Sequence, residues 1–521
     1  MDPSPLTDLK EIRRMTEAAA EAELRKYAPE PDGGNGGDKE EQNIFPSAVV
    51  LERLKENEDG DARLFIDLHK NRFVFDTAAG VWFKWTGHYW TEDYLNEAMA
   101  GIEEVISIYG MEAQRQSWLR LQAEKSGTQA KAKIHEQNES EFYKRVRALQ
   151  TLNRKKNIVE LARIGADGLG IDGQEWDRDP WLLGCLNGVI ELKTGTFRPG
   201  RPDDYIKTVA PTEWRGLNEP APTWEKFQFE VADGDRDLID FKQRLYGYCT
   251  TGETTHHVAP ILHGPGRNGK GTELETLKFV MGPYAGAIEA DLILKQKFTK
   301  HSGGPTSDIM NLRGKRLTWV SETDEGRSLN AGKLKWLVGG DTLTGRQVYG
   351  KRQVDFRPTH KLLILTNHRP RADAGDYALW ARLLLIPFKI SFLDEPTAPN
   401  ERKADPELPA KLRAEASGIL AWLVRGCLCW QKEGLKPPQA VKSATKAYQE
   451  DEDLIGQFLS EKCTLGLDLQ VQAGTLYAAY KEWAYENGLK PIFSVKFGRE
   501  IRNRFDSYKD RNTFYQGVDL R

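Results

Sequence analysis

The chain has 521 residues, of which 29% are charged and 39% hydrophobic, and its formal net charge is −3. This composition is typical of a soluble globular protein, and no apolar run approaches the roughly 18 residues that a membrane span needs. Five scattered cysteines and the lack of an early apolar core argue for a reducing cytoplasm and against export or a membrane role. Because net charge is near zero, nucleic-acid binding would have to come from local basic patches.

The length exceeds what one hydrophobic core holds, so several domains are expected. Short apolar strands alternate with helices from Pro260 to Phe392, which predicts an α/β domain with a largely parallel sheet. Residues 91–165 lack proline and predict helices with a break near 126–129, and residues 406–433 predict one long amphipathic helix. The predicted boundaries are 1–44 for a flexible segment, 45–250 for an α+β and helical domain, 251–400 for the core, 401–450 for a helical linker and 451–521 for a terminal module.

A glycine-rich loop follows an apolar strand and precedes a helix. Residues 258–262 predict the strand, HGPGRNGKGT follows, and the next residues continue as a helix. In this context backbone N–H groups close around phosphate oxygens, and a lysine binds the β and γ phosphates. The predicted nucleotide site comprises Gly264, Pro265, Gly266, Arg267, Asn268, Gly269, Lys270, Gly271 and Thr272.

The magnesium ligands are less regular than the loop. Gly271 stands where Ser or Thr usually follows the lysine, so Thr272 is the candidate hydroxyl ligand. The strand KRLTWV ends before SETDEG, whose Glu322 and Asp324 are candidate Mg²⁺ ligands, and Glu322 is the candidate for polarising the attacking water. Acidic residues at strand ends are also common in loops without a ligand.

Two further strand-associated side chains complete the candidate site. Asn367 ends the strand HKLLILTN, where a neutral amide suits contact with the γ phosphate or its attacking water, although single asparagines there are more often turn residues. Arg382 lies between Trp380 and an apolar strand. An arginine held at such a junction is a candidate finger for the phosphate of an adjacent subunit, and the alternative is an ordinary intrachain ion pair.

In their order along the chain, five segments resemble the superfamily 3 helicases of the phage and plasmid primase type, which include the helicase half of poxvirus primase-helicases. These segments are GPGRNGKGT, SETDEG, LVGGDTLTGRQVYGKRQVDFRP, LLILTNHRP and DYALWARLLLIPF. The resemblance covers most of the chain and implies an α/β, AAA+-type P-loop ATPase core with a preceding α+β domain and a carboxyl-terminal winged helix. It also implies ATP and Mg²⁺ as cofactors and a ring, usually hexameric, that moves 3′ to 5′ along single-stranded DNA.

The resemblance carries roles onto individual residues. It implies that Lys270 is the Walker A lysine, Glu322 the Walker B acid, Asn367 the sensor and Arg382 the finger. Ala381 departs from the pattern, since the family often has a second arginine there.

Two basic regions are candidates for DNA contact. TLTGRQVYGKRQVDFRP predicts a hairpin whose cations would hold backbone phosphates, with a tyrosine for base stacking, although an exposed basic hairpin without a ligand would look alike. The second helix of the terminal module is also basic, as a DNA-facing helix requires, although a protein-docking module would look similar. The candidate residues are Arg346, Tyr349, Lys351 and Arg352 in the hairpin and Lys496 and Arg499 in the helix.

The sequence therefore predicts an ATP-dependent DNA helicase that acts as a ring on single-stranded or forked DNA. The expected setting is phage, prophage or plasmid replication in the cytoplasm of a bacterial host, with priming by a separate primase or polymerase. Two other interpretations stay open: an AAA+ initiator or loader that remodels DNA without processive unwinding, and a DNA-binding scaffold with a degenerate nucleotide pocket.

Overall fold

The computed structural model describes residues 45–296, 306–321, 326–346 and 353–521. The chain divides into two compact units, one ending at Trp176 and the other spanning Asp177–Arg521. The predicted flexible segment 1–44 lies outside the described residues. Within the described ranges, no helix has the length and apolar character that crossing a membrane requires.

The first unit combines helices with a small sheet in the order β3-β2-β1-β4, in which only the β1–β4 pair is parallel. Its helices are α1 (Ser47–Lys55), α2 (Asn57–His69), α3 (Glu97–Ala100), α4 (Ile102–Lys125), α5 (Gln129–Leu149) and α6 (Leu152–Ala162). Its strands are β1 (Phe73–Asp76), β2 (Val81–Trp85), β3 (Trp90–Glu92) and β4 (Gly170–Ile171). The break between α4 and α5 confirms the polar interruption expected near residues 126–129.

A buried carboxylate joins four helices of this unit. Asp61 in α2 is fully buried, and its oxygens lie 2.6 Å from Nη1 of Arg145 in α5 and 2.7 Å from Nη2 of Arg154 in α6. The Tyr109 hydroxyl, in α4, also donates to Asp61, over 2.9 Å. Removing either arginine would leave the buried carboxylate only partly compensated.

The second unit begins with an antiparallel three-stranded sheet and two helices, and then forms the main parallel sheet. Its strands up to the end of that sheet are β5 (Leu182–Cys185), β6 (Gly188–Glu191), β7 (Thr196–Arg198), β8 (Ala259–His263), β9 (Ala285–Ile288), β10 (Leu317–Ser321), β11 (Leu343–Gly345), β12 (Val354–Phe356), β13 (Lys361–Thr366) and β14 (Leu383–Pro387). The helices are α7 (Pro222–Val231), α8 (Arg236–Tyr248), α9 (Lys270–Met281), α10 (Ser307–Met310), α11 (Ala331–Val338) and α12 (Tyr377–Trp380).

The five-stranded sheet has the order β14-β8-β13-β10-β9, and all its pairs are parallel. This confirms the predicted α/β architecture with a parallel sheet. Of the five strands of this sheet, β8 comes first along the chain, and it lies between the last two, β13 and β14. The strand order therefore reverses beside β8. In open α/β sheets, ligands bind outside the carboxyl ends of the strands at such a switch point.

Both faces of this sheet are buried, as expected for parallel strands. Alternate residues of β13 belong to different cores, since Leu363 packs with α8 and α9 while Leu362 and Ile364 pack with α11. The strands are therefore almost continuously apolar, and polar side chains are concentrated where the strands end.

The predicted long helix over residues 406–433 is wrong, because the segment contains two helices that break at Glu415. The Glu415 carboxylate accepts hydrogen bonds from the backbone N–H groups of Thr223, over 2.9 Å, and Trp224, over 3.0 Å. It therefore caps the amino terminus of α7, a tertiary contact that the sequence pattern does not reveal. The elements of this region are β15 (Ser391–Leu393), β16 (Glu401–Lys403), α13 (Leu408–Ala414), α14 (Ala416–Glu433) and α15 (Gln439–Glu452).

The carboxyl-terminal elements form a module with its own core, which includes Phe458, Tyr480, Trp483 and Phe497. The module follows the order helix, strand, two helices and two strands, and its sheet has the order β17-β19-β18. The elements are α16 (Leu454–Lys462), β17 (Cys463–Gln472), α17 (Ala473–Glu486), α18 (Ser494–Arg502), β18 (Ser507–Asp510) and β19 (Asn512–Leu520).

Candidate functional site

The register of the parallel sheet brings Lys270 and Asn367 together. Thr366, the last residue of β13, pairs with His263, the last residue of β8. Asn367 therefore follows β13 at the same edge of the sheet where the glycine loop leaves β8 and α9 begins with Lys270. The amide oxygen of Asn367 lies 3.0 Å from the Lys270 Nζ.

Lys270 is held by three oxygen atoms. Its Nζ donates to the Gly264 carbonyl oxygen over 2.8 Å, to Asn268 Oδ1 over 2.9 Å and to Asn367 Oδ1 over 3.0 Å. The residue is only 4% exposed. None of the three acceptors carries a negative charge, so the ammonium group is solvated by dipoles and keeps its attraction for an anion.

Burial lowers the pKa of two basic side chains at the site, Lys270 and His263. Burial lowers the pKa of Lys270 to about 8. Burial, helped by repulsion from Arg369 and Lys270, lowers the pKa of His263 to about 4. His263 is therefore neutral at pH 7, whereas Lys270 is largely charged, and an incoming anion would favour the charged form of Lys270 further.

The loop from residue 264 to 269 depends on glycine at two positions. A Cβ on Gly264 would lie 2.0 Å from the Phe388 carbonyl oxygen, so no side chain fits there. Gly269 has a φ of +84° as the amino-terminal cap of α9, and a Cβ there would lie 3.0 Å from Val231 and 3.1 Å from Phe227. The backbone therefore approaches α7 closely and turns sharply into α9.

We expect Gly269→Ala to lower the free energy of unfolding by about 1–3 kcal/mol, because the alanine would have to adopt a positive φ and its Cβ would lie too close to α7. Gly271→Ala is the matched control, since a Cβ at Gly271 meets no atom within 4 Å. Urea unfolding of both variants tests this, and equal stability of the two would contradict the loop geometry.

A cavity of about 320 Å³ lies over the loop and is lined by residues 266–272 and 365–367. The Asn268 Nδ2 is buried and has no hydrogen-bond partner among the described residues. The backbone N–H groups of the first turn of α9 also lack intrahelical acceptors, as at any helix start. The cavity thus combines a lysine, unpaired donors and the positive end of a helix, which suits a polyanion. Thr272 also lines the cavity.

The predicted acids Glu322 and Asp324 lie outside the described residues. The strand before them, β10, ends at Ser321, which pairs with Leu365 near the end of β13. The described part of β10 therefore ends at the edge of the sheet that carries the cavity. The roles of the two acids stay predictions.

Arg382 lies at the opposite edge of the sheet. Its backbone oxygen accepts from the Ala259 N–H over 2.7 Å at the start of β8, whereas the cavity lies beyond the end of β8, about 13 Å away at 3.3 Å per residue. The guanidinium donates to the Ala378 carbonyl oxygen over 2.7 Å. Its Nε is buried without a hydrogen-bond partner among the described residues. Arg382 is therefore not part of its own chain's cavity.

The hairpin predicted for DNA contact has two short antiparallel arms, β11 and β12. Its tip, with Tyr349, Lys351 and Arg352, lies outside the described residues. Arg346 directly follows the first arm. Its N–H donates to the Thr306 hydroxyl over 2.8 Å, and its carbonyl oxygen accepts from the Thr306 N–H over 3.0 Å. The arms agree with the predicted extended segments.

The two candidate DNA contacts on α18 have different surroundings. The Lys496 Nζ lies 2.8 Å from Asp373 Oδ2, in the loop that follows β13. Arg499 is exposed on the same helix. A DNA role for either residue stays a prediction, and for Lys496 it would compete with this ion pair.

Sequence reasoning missed the ion pair that anchors α9. The Lys242 Nζ lies 2.8 Å from Glu273 Oε2, and both side chains are almost completely buried. Burial lowers the pKa of Lys242, an effect that the Glu273 charge opposes. The pair joins α8 to the first turn after the glycine loop. The only sequence signal is a lysine and a glutamate within two helices of apolar pattern, which is too common to identify it.

The fold and site define an α/β protein whose parallel sheet carries a lysine-bearing glycine loop at its carboxyl edge. Among known families, residues 62–231 match the one described as D5 N terminal like, and residues 262–382 match a family of unknown function. These matches and the relatives described next show that the chain is similar to D5-like primase-helicases, which agrees with the resemblance drawn from its motifs.

The similar curated proteins come from large DNA viruses. A protein of Acanthamoeba polyphaga mimivirus named as a helicase, L207/L206, is 26% identical over 84% of this chain and 47% of its own length. A protein of Frog virus 3 named as a helicase, 022R, is 29% identical over 60% of this chain and 40% of its own length. A protein of African swine fever virus named as a primase, C962R, is 22% identical over 63% of this chain and 36% of its own length.

The chain thus spans less than half the length of these relatives. Among solved structures, an apo structure of the NrS-1 C terminal region aligns with 88% of this chain and 99% of its own at 12% identity, with a TM-score of 0.43.

Proposed function

We propose that the chain is the ATP-hydrolysing motor of a DNA helicase that serves replication. The observation that carries the proposal is the convergence of Lys270 and Asn367 on one polar cavity at the switch point of the parallel sheet. The names of the viral relatives support the same activity. In this proposal the parallel-sheet region is a P-loop AAA+ core, and the terminal module is a winged helix.

The residues at the cavity fit ATP with Mg²⁺. The unpaired amide donor of Asn268, the Lys270 ammonium group and the first N–H groups of α9 would bind phosphate oxygens. Thr272 and the predicted acids Glu322 and Asp324 would hold Mg²⁺, which supplies charge neutralisation at the phosphates when bound.

Phosphate binding would exchange the partners of Lys270. Its Nζ would leave the neutral oxygens of Asn268 and Asn367 for charged phosphate oxygens, which are stronger acceptors. The Asn367 amide would then be free to orient the attacking water, and Glu322 is the candidate acceptor of its proton. Asn367 would in this way respond to the state of the phosphate.

Arg382 would act on the site of a neighbouring copy. Because it lies at the opposite edge of the sheet from its own cavity, a finger role requires a second chain. A closed ring, with a hexamer as the expected form, supplies such a neighbour for every copy. Single-stranded or forked DNA would pass along the basic hairpin whose arms are β11 and β12, and Arg499 would add a contact from the terminal module.

We expect the affinity for ADP to fall as pH rises through about 8, because Lys270 is charged below its pKa of about 8 and neutral above it. Calorimetric titrations between about pH 7.5 and 9.5 measure this, and the limiting slope is about tenfold per pH unit. Lys270→Arg is the control, since a guanidinium stays charged over the whole range. A flat profile for the unmodified chain would contradict the role of Lys270.

Two measurements on the full chain test the proposed function. We expect Mg²⁺-dependent ATP turnover that single-stranded DNA stimulates, and displacement of a strand from a forked duplex. ATP turnover without strand displacement would favour a DNA-remodelling ATPase over a helicase. The absence of turnover in the presence of Mg²⁺ and DNA would leave a binding scaffold and refute the motor.

A further inference from the structure

The loop of residues 368–376, called the 368–376 loop below, connects Asn367 at the cavity to α12, which precedes Arg382 at the opposite edge of the sheet. It begins directly after Asn367, and it ends at Asp376, whose carboxylate caps α12 by accepting from the Leu379 N–H over 3.0 Å. Arg382 follows α12 after one residue, Ala381. The position of this one loop therefore affects both the amide at the chain's own cavity and the arginine at the opposite edge.

Helix α15 holds the first half of this loop. The Arg369 guanidinium lies 2.7 Å from Asp451 Oδ2, and the Tyr448 hydroxyl donates to the Pro370 carbonyl oxygen. The Ala372 N–H donates to Glu452 Oε2 over 2.9 Å. These contacts fix residues 369–372 through one buried, one partly buried and one exposed partner, Tyr448, Glu452 and Asp451.

Helix α18 of the terminal module holds the second half. The Lys496 Nζ lies 2.8 Å from Asp373 Oδ2, and the Trp380 Nε1 donates to the Asp373 carbonyl oxygen over 2.9 Å. A Cβ on Gly375 would lie 2.9 Å from Glu500 Oε2, so the Glu500 carboxylate closely approaches the loop. The terminal module thus contacts the loop midway between Asn367 and Arg382.

The contact is polar and loosely packed. The Lys496 and Asp373 side chains remain 48% and 46% exposed, and a cavity of about 90 Å³ lies between the loop and the module. An ion pair this exposed stabilises weakly, so it forms and breaks readily compared with a packed core. A contact of this kind can break or form when the terminal module changes its position.

We propose that Lys496 is a positioning residue, which docks the terminal module on the 368–376 loop and thereby holds Asn367 and Arg382 in place for hydrolysis. The catalytic part of this inference rests on the proposed function. Docking leaves the glycine loop and α9 untouched, so losing it affects turnover more than nucleotide affinity. The motor and its terminal module would therefore work as one unit.

The test compares Lys496→Glu, Asp373→Lys and the variant that carries both changes. Each single change places like charges face to face, and we expect kcat for ATP hydrolysis to fall about fivefold or more with little change in KM. The double variant restores an attractive pair and is expected to recover most of kcat. Lys490→Ala is the matched control, because it removes an exposed cation shortly before α18 that has no part in the contact.

Hydrogen exchange of residues 368–376 gives a second readout that does not depend on activity. We expect faster exchange in both single variants and recovery in the double variant. Unchanged exchange in the single variants, unchanged kcat, or a double variant no better than the singles would each overturn the inference. A chain without ATP turnover would refute the proposed function and the catalytic part of this inference, while the exchange pattern would still decide the docking.

Discussion

Lys270→Ala is expected to reduce ATP hydrolysis by about 10³-fold or to background and to abolish strand displacement. The ammonium group is the buried charge that the cavity offers to a phosphate chain, since Asn268 and Asn367 contribute neutral amides and Arg267, which also lines the cavity, is exposed. Its loss removes the charge that holds the β and γ phosphates. Steady-state hydrolysis with single-stranded DNA and displacement from a forked duplex measure the effect.

Lys278→Ala is the control for this prediction. Lys278 lies on the same helix, two turns away, with a 49% exposed side chain and a distant partner, Glu275, at 3.8 Å. We expect near-normal turnover in the control and retained secondary structure in both variants. Hydrolysis that persists in Lys270→Ala would show that another site turns over the nucleotide.

Arg382→Ala is expected to reduce turnover by about 10³-fold while the chain still binds ATP, since an arginine finger contributes at the transition state. Because Arg382 lies at the opposite sheet edge from its own cavity, the loss should affect the neighbour's site. Mixing the Arg382→Ala and Lys270→Ala chains should then restore part of the activity. At some interfaces of the mixed ring, Lys270 of an Arg382→Ala chain would meet Arg382 of a Lys270→Ala chain.

The mixing experiment distinguishes a finger from a structural residue. If Arg382 only stabilised its own chain, by its hydrogen bond to Ala378, mixing would restore nothing and the single variant would unfold more easily. Thermal unfolding of Arg382→Ala is therefore measured alongside. Normal stability with no restoration on mixing would contradict the shared site.

The pairing of Lys270 with Asn367 could be predicted from the sequence, although 97 residues separate them. Both follow short apolar strands, and the carboxyl ends of parallel strands meet at one edge. The hydrophobic pattern therefore carried enough information to place both residues. The sequence could not show that they bond each other directly, because that depends on the side-chain geometry of the loop.

The position of Arg382 could not be predicted from local sequence. It depends on the direction of β14, which runs parallel to β8 and so begins beside the start of β8, and a local segment of sequence does not fix the direction of a strand. The break at Glu415 is similar, since a carboxylate that caps a helix about 190 residues away leaves no periodic signal. The Lys496–Asp373 pair joins two exposed residues of ordinary polar character, so sequence reasoning assigned the lysine to DNA instead.

The proposed motor requires that one nucleotide is shared by two copies of this chain. Electron cryomicroscopy of the full chain with a non-hydrolysable ATP analogue, Mg²⁺ and single-stranded DNA tests it most directly. We expect a ring with the analogue at each interface, Lys270 and Asn367 contacting its phosphates from one copy and Arg382 from the next. Monomeric particles, or an analogue bound away from Lys270, would contradict the account.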